Sequence, residues 1–217
     1  MEFVTQLLDI FLHLNSHLAA LLAQYGTLTY AILFLIVFCE TGLVFMPWLP
    51  GDSLLFAAGA LASSTGNLDP YTLILVLICA ALLGDNTNYL VGKFFGKTIK
   101  SRERIGFFKR EYIEQTESYY ARYGGRTIIM ARFIPIIRTV APFVAGAGNM
   151  HYPRYMQFCV LGAVLWVGLI TTAGYQFGHF EVVKNNFEFV VLGIVAVSLM
   201  PLAFQLGQKL LNKTKTV

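Results

Sequence analysis

Hydrophobic residues run in long blocks along this chain, and short polar breaks separate the blocks. A continuous apolar stretch of about 20 residues is long enough to cross a bilayer as a helix. The blocks at 71–92, 155–178 and 187–207 have about that length and are predicted to be transmembrane spans. Residues 1–26 differ because their apolar side chains recur at helical spacing along one stripe. That pattern predicts an amphipathic N-terminal helix at the membrane surface or against the bundle.

Two further apolar blocks, 27–62 and 127–150, are interrupted by proline and by charged residues. A proline inside a helix removes a backbone hydrogen bond and costs about 3 kcal/mol. Irregular backbone at membrane depth is tolerated only where protein or water covers it. We therefore predict that each block folds as a re-entrant hairpin, which enters and leaves the bilayer on the same side. The residues predicted to break the two hairpins are Pro47, Pro50, Gly51, Pro135 and Pro142.

Basic residues are distributed unevenly along the chain. Residues 1–92 contain no Lys or Arg, whereas the segment 93–126 contains nine. Positively charged loops are retained on the cytoplasmic side of a membrane. If the first hairpin opens outward, thirteen basic residues lie inside and only Lys184 lies outside, leaving aside the two arginines of the second hairpin. This predicts an external N-terminus, a cytoplasmic basic loop carrying an interfacial helix, and a cytoplasmic tail at 208–217.

The composition agrees with a membrane protein. Hydrophobic residues make up 56% of the chain, charged residues 13%, and the mean hydropathy is +0.62. Soluble domains carry about 25% charged residues. The net charge of +4 follows the predicted topology, so we do not expect nucleic-acid binding.

The order of the segments predicts an internal repeat within one membrane domain that covers 1–217. Each half contains a broken hairpin followed by a span, and the two spans end in the similar sequences GKFFG (92–96) and GYQFG (174–178). The opposite orientation of the two hairpins would make the halves inverted copies, as in many secondary transporters. The predicted fold is therefore an all-α polytopic membrane protein, an inverted repeat with two re-entrant helical hairpins that face each other, together with spans and interfacial amphipathic helices.

Five charged residues lie in the predicted hairpins or in the span after the first one. They are Glu40, Asp52, Asp85, Arg132 and Arg138. An isolated charge at the centre of a membrane helix costs about 2.5–3.5 kcal/mol, so opposite charges are expected to pair. One interpretation is that these are inert ion pairs that tie the hairpins together. For Asp85 a further alternative is that Asn86 and Asn88 merely satisfy its carboxylate.

In the functional interpretation, the arginines and the acidic residues have different roles. Arg132 and Arg138 would bind the phosphate of an anionic lipid head group, because a guanidinium presents a planar fork that matches phosphate oxygens. Glu40, Asp52 and Asp85 would act as counter-charges that take up a proton when the anion displaces them.

No metal or cofactor site is predicted. His13 and His17 form an i, i+4 pair with too few further ligands for a metal. Trp166 is expected to pack in a span or to anchor it at the interface. Three cysteines lie in apolar stretches at no metal-ligand spacing and are expected to behave as small hydrophobic residues. They are Cys39, Cys79 and Cys159.

Three segments resemble the DedA family, which is also known as the VTT or SNARE-associated Golgi-type domain. They are FCETGLVFMPWLPGDSLLFAAGALA (38–62), GDNTNYLVGKFFG (84–96) and ARFIPIIRTVAPFVAGAGNM (131–150). The spacing from Trp166 to GYQFG fits as well, so the resemblance covers nearly the whole chain. It implies facing re-entrant hairpins in a bacterial inner-membrane protein.

The resemblance also implies a role in moving lipid. Bacterial members of the family are linked to flipping undecaprenyl phosphate back across the cytoplasmic membrane and to the proton motive force, and eukaryotic relatives are lipid scramblases. The essential acidic pair of the family falls on Glu40 and Asp52, and its essential arginines fall on Arg132 and Arg138.

Four functions are compared on these grounds, and one of them is a purely structural membrane protein, which would have to explain four buried charges. The first is a lipid-phosphate flippase that uses a polyprenyl phosphate and protons as its partners, with a homo-oligomer left open. The second is a proton- or cation-coupled antiporter of small ions or drugs. The third is an enzyme, since Gly51-Asp52 and Gly84-Asp85 resemble the paired aspartates of intramembrane proteases. The sequence has no Ser/His or Cys/His arrangement for a nucleophile and no phosphate-binding loop, so we expect no enzymatic activity.

Overall fold

The computed structural model describes residues 25–42, 51–100, 104–105, 108–180 and 193. Almost all of these residues are helical. The elements are α1 (Leu28–Gly42), α2 (Gly51–Thr65), α3 (Pro70–Lys100), β1 (Arg104–Ile105), β2 (Phe108–Lys109), α4 (Arg110–Tyr123), α5 (Arg126–Ala131), α6 (Pro135–Ala147) and α7 (Tyr152–Phe177). The strands β1 and β2 form one short antiparallel ladder.

Several predicted features lie outside the described residues. These are nearly all of the N-terminal helix, nearly all of the last predicted span, the C-terminal tail, and the hairpin breaks Pro47 and Pro50.

Two helices in the described part of the chain are long and apolar enough to cross a bilayer. They cover Pro70–Phe94 of α3 and Tyr152–Phe177 of α7. The helices α1 and α2 have 15 residues each, and α6 has 13. At 1.5 Å per residue these three are about 20–22 Å long, shorter than the hydrocarbon core of about 30 Å. Two or more short helices therefore precede each long helix along the described part of the chain.

Helix α3 has a well-defined start and extends beyond the predicted span. Asp69 precedes Pro70, and its carboxylate accepts a hydrogen bond of 2.7 Å from the backbone N–H of Thr72, the arrangement of a helix N-cap. Hydrogen bonds from the side chain and the backbone of Thr72 lower the pKa of Asp69. The helix then runs through the polar GDNTN segment to Lys100. Part of the basic segment, predicted as a loop from residue 93, is therefore helical.

The second predicted hairpin is broken at a single place. Helix α5 ends at Ala131, and Pro135 is the first residue of α6, where its missing N–H is not needed. The prediction that Pro142 also breaks the chain is wrong, because Pro142 lies inside the continuous helix α6. Pro142 leaves the carbonyl of Arg138, four residues earlier, without its helical donor. Side chains from other helices donate to two neighbouring carbonyls of α6. Asn88 Nδ2 donates to Thr139 O at 3.0 Å, and a tyrosine of α4 donates to Ala141 O at 2.9 Å.

The short helix α2 packs along the long helix α7 through glycines. Gly59 lies against the backbone carbonyl of Thr171, and Gly174 lies against that of Phe56. A Cβ atom at either glycine would collide with backbone atoms, so glycine sets how closely these two helices approach.

The short helix α6 packs along the long helix α3 in the corresponding way. Gly146 lies against the carbonyl of Tyr89, and Gly92 lies against that of Phe143. Meanwhile α1 packs along α3, and α5 packs along α7. The second short helix of each half thus packs on the long helix of the other half, so the two halves are interlocked.

The largest hydrophobic core forms where α1, α2, α3 and α7 meet. Its fully buried large side chains include Leu33, Leu55, Leu77 and Trp166. Smaller clusters form around α6, where it packs against α3 and α4. Charged side chains join these helices to α1, α2 and α7.

Candidate functional site

Arg138 is held by carboxylates from the other half of the molecule. It lies in the first turns of α6, and its Nη2 atom pairs with Oε1 of Glu40, near the end of α1. Its Nη1 atom lies 3.1 Å from Oδ1 of Asp52, in the first turn of α2. Glu40 also accepts a hydrogen bond of 3.1 Å from the backbone N–H of Gly51. One guanidinium therefore joins the ends of three short helices.

Gly51 makes this arrangement possible as the first residue of α2. A Cβ atom at this position would occupy the space taken by the carboxylate of Glu40. The sequence predicts Gly51 as a hairpin break, and the structure gives it a second role as the donor that positions Glu40.

Asp52 is the most accessible acid of the site. Its side chain is 22% exposed, whereas that of Glu40 is 1% exposed. Besides Arg138, Asp52 interacts with the indole of Trp166, whose Nε1 donates a hydrogen bond of 2.9 Å to Oδ1. Asp52 also lies in the first turn of α2, where the partial positive charge of a helix N-terminus favours an anion.

Arg132 forms a separate ion pair with Asp85. It follows the end of α5, and its Nη2 atom contacts both Oδ2 of Asp85 on α3 and, at 3.3 Å, the backbone carbonyl of Cys159 on α7. The thiol of Cys159 lies 3.3 Å from Asp85 Oδ2, so the expectation that this cysteine is only a small hydrophobic residue is wrong. Gly162 leaves room for the guanidinium, since a Cβ there would come within 2.8 Å of Arg132 Nε.

The asparagines after Asp85 do not take the place of this arginine. Asn88 Nδ2 donates instead to the carbonyls of Thr41 on α1 and Thr139 on α6, at 3.2 and 3.0 Å. Tyr155 supports the site from α7 by donating its hydroxyl to the backbone carbonyl of Asp85 at 2.9 Å. Asn88 thus ties both short-helix pairs to α3, next to the ion pairs.

Both arginines lie over the same aromatic ring. The Cζ atom of Arg138 is 4.8 Å from the ring centroid of Trp166, and that of Arg132 is 5.8 Å away. A guanidinium within about 6 Å of an indole is attracted by the negative face of the ring. Trp166 therefore contacts both ion-pair clusters.

Several polar atoms of the site are buried and lack a hydrogen-bond partner among the described residues. They are Oε2 of Glu40, Nε and Nη1 of Arg132 and Nε of Arg138. A buried polar group that makes no hydrogen bond costs about 1–3 kcal/mol. The cluster consequently has unused capacity to bind an oxygen-rich ligand or water.

A cavity of about 380 Å³ lies away from the ion pairs, at the ends of α4, α6 and α7. Its polar lining comes from Glu117, Tyr120, His151 and Arg154, and none of the five charged site residues lines it. Both guanidinium groups are already paired with carboxylates, those of Glu40, Asp52 and Asp85.

The sequence analysis placed all five charged residues among the candidates, and the structure brings them into two neighbouring clusters. It gave no site role to Trp166, Cys159 or Tyr155, and it considered Asn88 only as a partner of Asp85. One signal for Trp166 is present in the sequence, because a tryptophan in the middle of an apolar span needs a partner for its N–H. The partners themselves come from other helices.

Comparison with known proteins agrees with the features described above. Residues 49–176 match the family model described as the VTT domain. Protein DedA of Escherichia coli (strain K12) is 49% identical over 202 residues, which cover 93% of this chain and 92% of that protein. The inner membrane protein YqjA of the same strain is 30% identical over 210 residues, covering 97% of this chain and 94% of that protein.

A mycobacterial relative is also named as a membrane protein. The uncharacterized membrane protein ML0287 of Mycobacterium leprae (strain TN) is 43% identical over 166 residues, 76% of this chain and 74% of that protein. No solved structure matches this chain. The family model covers more than half of the chain, and the two Escherichia coli relatives cover 93% and 97% of it, so this chain belongs to the DedA family of VTT-domain membrane proteins.

Proposed function

We propose that this chain moves an anionic lipid across the bacterial cytoplasmic membrane, and that the lipid is undecaprenyl phosphate or a related polyprenyl phosphate. The observation that carries the proposal is the position of Arg138, whose guanidinium is held between Glu40 and Asp52 from the opposite half. A cation held by two displaceable carboxylates inside an apolar bundle is suited to exchange them for a phosphate.

The charge of the site supports coupling to protons. Three carboxyl groups, those of Glu40, Asp52 and Asp85, face the two guanidinium groups of Arg132 and Arg138. If all five were ionised the site would carry one net negative charge, which is costly in a buried environment. When a phosphate displaces Glu40, a proton on the carboxyl group of Glu40 restores the balance. Movement of the anion would therefore be linked to uptake and release of a proton.

The proposed architecture is an inverted repeat of two re-entrant hairpins. It is supported by the short lengths of α1, α2 and α6 and by the reciprocal packing of α2 on α7 and of α6 on α3. In the proposed topology the protein is multi-pass, the N-terminus lies outside, and the basic segment and the C-terminus lie in the cytoplasm. The name of the relative YqjA as an inner membrane protein supports the same membrane for this chain.

The excess of carboxyl groups also favours a second candidate, a proton- or cation-coupled antiporter of small ions or drugs. In that case the carboxylates would bind the coupling ion and the arginines would hold the scaffold. Everted vesicles separate the two functions. An antiporter dissipates a pH gradient when the small substrate is added, regardless of lipid, whereas the lipid transporter does not.

The direct test measures binding and transport of undecaprenyl phosphate. Purified protein is titrated with the lipid, and proteoliposomes are then assayed for its movement between leaflets. Arg138→Ala is expected to weaken binding by about 100-fold or more, since a charge-assisted bidentate contact is lost. Arg138→Lys should recover only part of this affinity, because an ammonium lacks the fork. Arg132→Ala should also weaken binding.

The matched control is Arg122→Ala, which removes an exposed arginine of α4. It should bind and transport lipid as the unmodified chain does. Full binding by Arg138→Ala would disprove the proposed lipid site. Binding without any movement between leaflets would assign the protein a role as a lipid receptor and would disprove transport.

A further inference from the structure

Trp166 has an unusual set of contacts for a core tryptophan. It is fully buried in the middle of α7 and belongs to the main hydrophobic core. Its indole nevertheless contacts three charged side chains from three other segments. They are Asp52, through the N–H, and Arg132 and Arg138, through the ring.

The two ends of the indole suit opposite charges. The ring face carries negative potential and attracts a guanidinium, and the N–H is a donor that suits a carboxylate. Three guanidinium nitrogens of Arg132 and Arg138 lack a hydrogen-bond partner within the described residues, so the ring supplies part of the stabilisation that they would otherwise lack. A leucine or a phenylalanine would fill the same apolar space without the donor.

We propose that Trp166 is the positioning residue of this site: it keeps Arg132 and Arg138 beside each other and holds Asp52 when a ligand displaces it. The inference rests on the proposed function, because the ligand in question is the phosphate of the lipid. Both guanidinium groups contact one rigid ring, so the ring fixes the position of each arginine relative to the other. With the indole N–H on Asp52, the displaced carboxylate keeps a partner and can stay ionised.

This role has a consequence for the pH dependence of binding. The titratable and charged groups around Asp52 are Glu40 of α1 and Arg138 of α6. The titratable groups around Arg132 are Asp85 of α3 and Cys159 and Tyr155 of α7. Without the indole N–H, the displaced Asp52 must take up a proton, so binding should become harder as the pH rises. A purely structural loss would lower the affinity equally at every pH.

The test compares Trp166→Phe with the unmodified full-length chain in nanodiscs, with undecaprenyl phosphate as the probe. Trp166→Phe should weaken binding by about tenfold at neutral pH, and this loss should grow as the pH rises. The matched control is Phe56→Leu, which trims a buried aromatic of α2 that packs on α7. Its affinity should change little and should follow the pH profile of the unmodified chain.

A spectroscopic measurement completes the test even if Trp166→Phe folds poorly. The chain has two tryptophans, so Trp48→Phe leaves Trp166 as the sole indole. Addition of the lipid should change its fluorescence, because the arginines over its ring and the carboxylate at its N–H both change partners. Lipid that binds without any change in this emission overturns the positioning role.

The outcomes separate the two proposals. Failure of the unmodified chain to bind the lipid overturns the proposed function, and the positioning role falls with it. Normal binding by Trp166→Phe, or a loss that is uniform across pH and equals that of Phe56→Leu, overturns the positioning role alone.

Discussion

The two arginines of the site are both buried, yet they are held in different ways. Arg138 is shared by two carboxylates on two short helices of the opposite half, and one of them, Asp52, keeps 22% of its side-chain surface exposed. Arg132 has one carboxylate partner, Asp85, which is 4% exposed and lies on a long helix beside a thiol. The comparison indicates that Arg138 has partners that can be exchanged, whereas Arg132 has a fixed one.

The largest expected effect comes from removing each arginine in turn. Breaking a buried ion pair from one side costs about 3–5 kcal/mol because a charge is left without its partner. Arg138→Leu leaves two carboxylates and should lie at the upper end of this range, whereas Arg132→Leu leaves one and should lie lower. Thermal unfolding in detergent measures both, with the exposed Arg122→Leu as control. A larger loss of stability for Arg132→Leu than for Arg138→Leu would contradict this prediction.

Neutralising the acid that each arginine leaves behind should show a further difference in stability between the two clusters. Asp85→Asn added to Arg132→Leu removes the only unpaired carboxylate, so the double variant should regain about 2 kcal/mol relative to Arg132→Leu. Glu40→Gln added to Arg138→Leu should regain less, because Asp52 stays charged. A four-variant unfolding cycle for each pair gives the coupling energies. Equal recovery in both cycles would show that the clusters are equivalent.

A smaller effect is expected from the thiol beside Asp85. Cys159→Ala removes a donor to the carboxylate and should destabilise the protein by about 1 kcal/mol, while Cys159→Ser retains a donor and should cost less. Unfolding measurements on both variants test the role of this contact. Cys79→Ser, at an exposed position, is the control. If Cys159→Ala and Cys159→Ser lose the same stability, Cys159 contributes only by packing.

The smallest effect concerns an exposed carboxylate, in contrast to the buried ones. The pKa of Asp69 is lowered by its hydrogen bonds to Thr72, so its contribution to stability is present above the ordinary aspartate pKa and is lost as the pH falls through the lowered value. The melting temperature of Asp69→Asn should therefore be slightly lower than that of the unmodified chain at neutral pH. The difference between the two melting temperatures should disappear at acidic pH. Melting curves of both proteins across pH test this. A constant gap from about pH 7 to about pH 3 would contradict it.

The hydrophobic pattern predicted the long helices well because a bilayer demands continuous apolar stretches of a fixed length. The sequence also located the break at Pro135, since proline at the first position of a helix costs nothing. The prediction from the sequence that Pro142 also breaks the second hairpin was wrong. A proline inside a helix frees one carbonyl, and a helix that is packed on its neighbours can continue through it. The packing of α6 on α3 and α4 involves residues that are distant in the sequence.

The apolar blocks and the charges within them are enough to identify a helical membrane protein whose charges need partners, because hydrocarbon penalises each unpaired charge wherever the chain folds. Which partner each charge has depends on the tertiary structure. Asp85 pairs with Arg132, Asp52 shares Arg138 with Glu40, and Trp166 touches both arginines. These pairings depend on how α3 and α7 each pack against the opposite half. Contacts between residues that are distant in the sequence follow from the packing of whole helices, which no local pattern encodes.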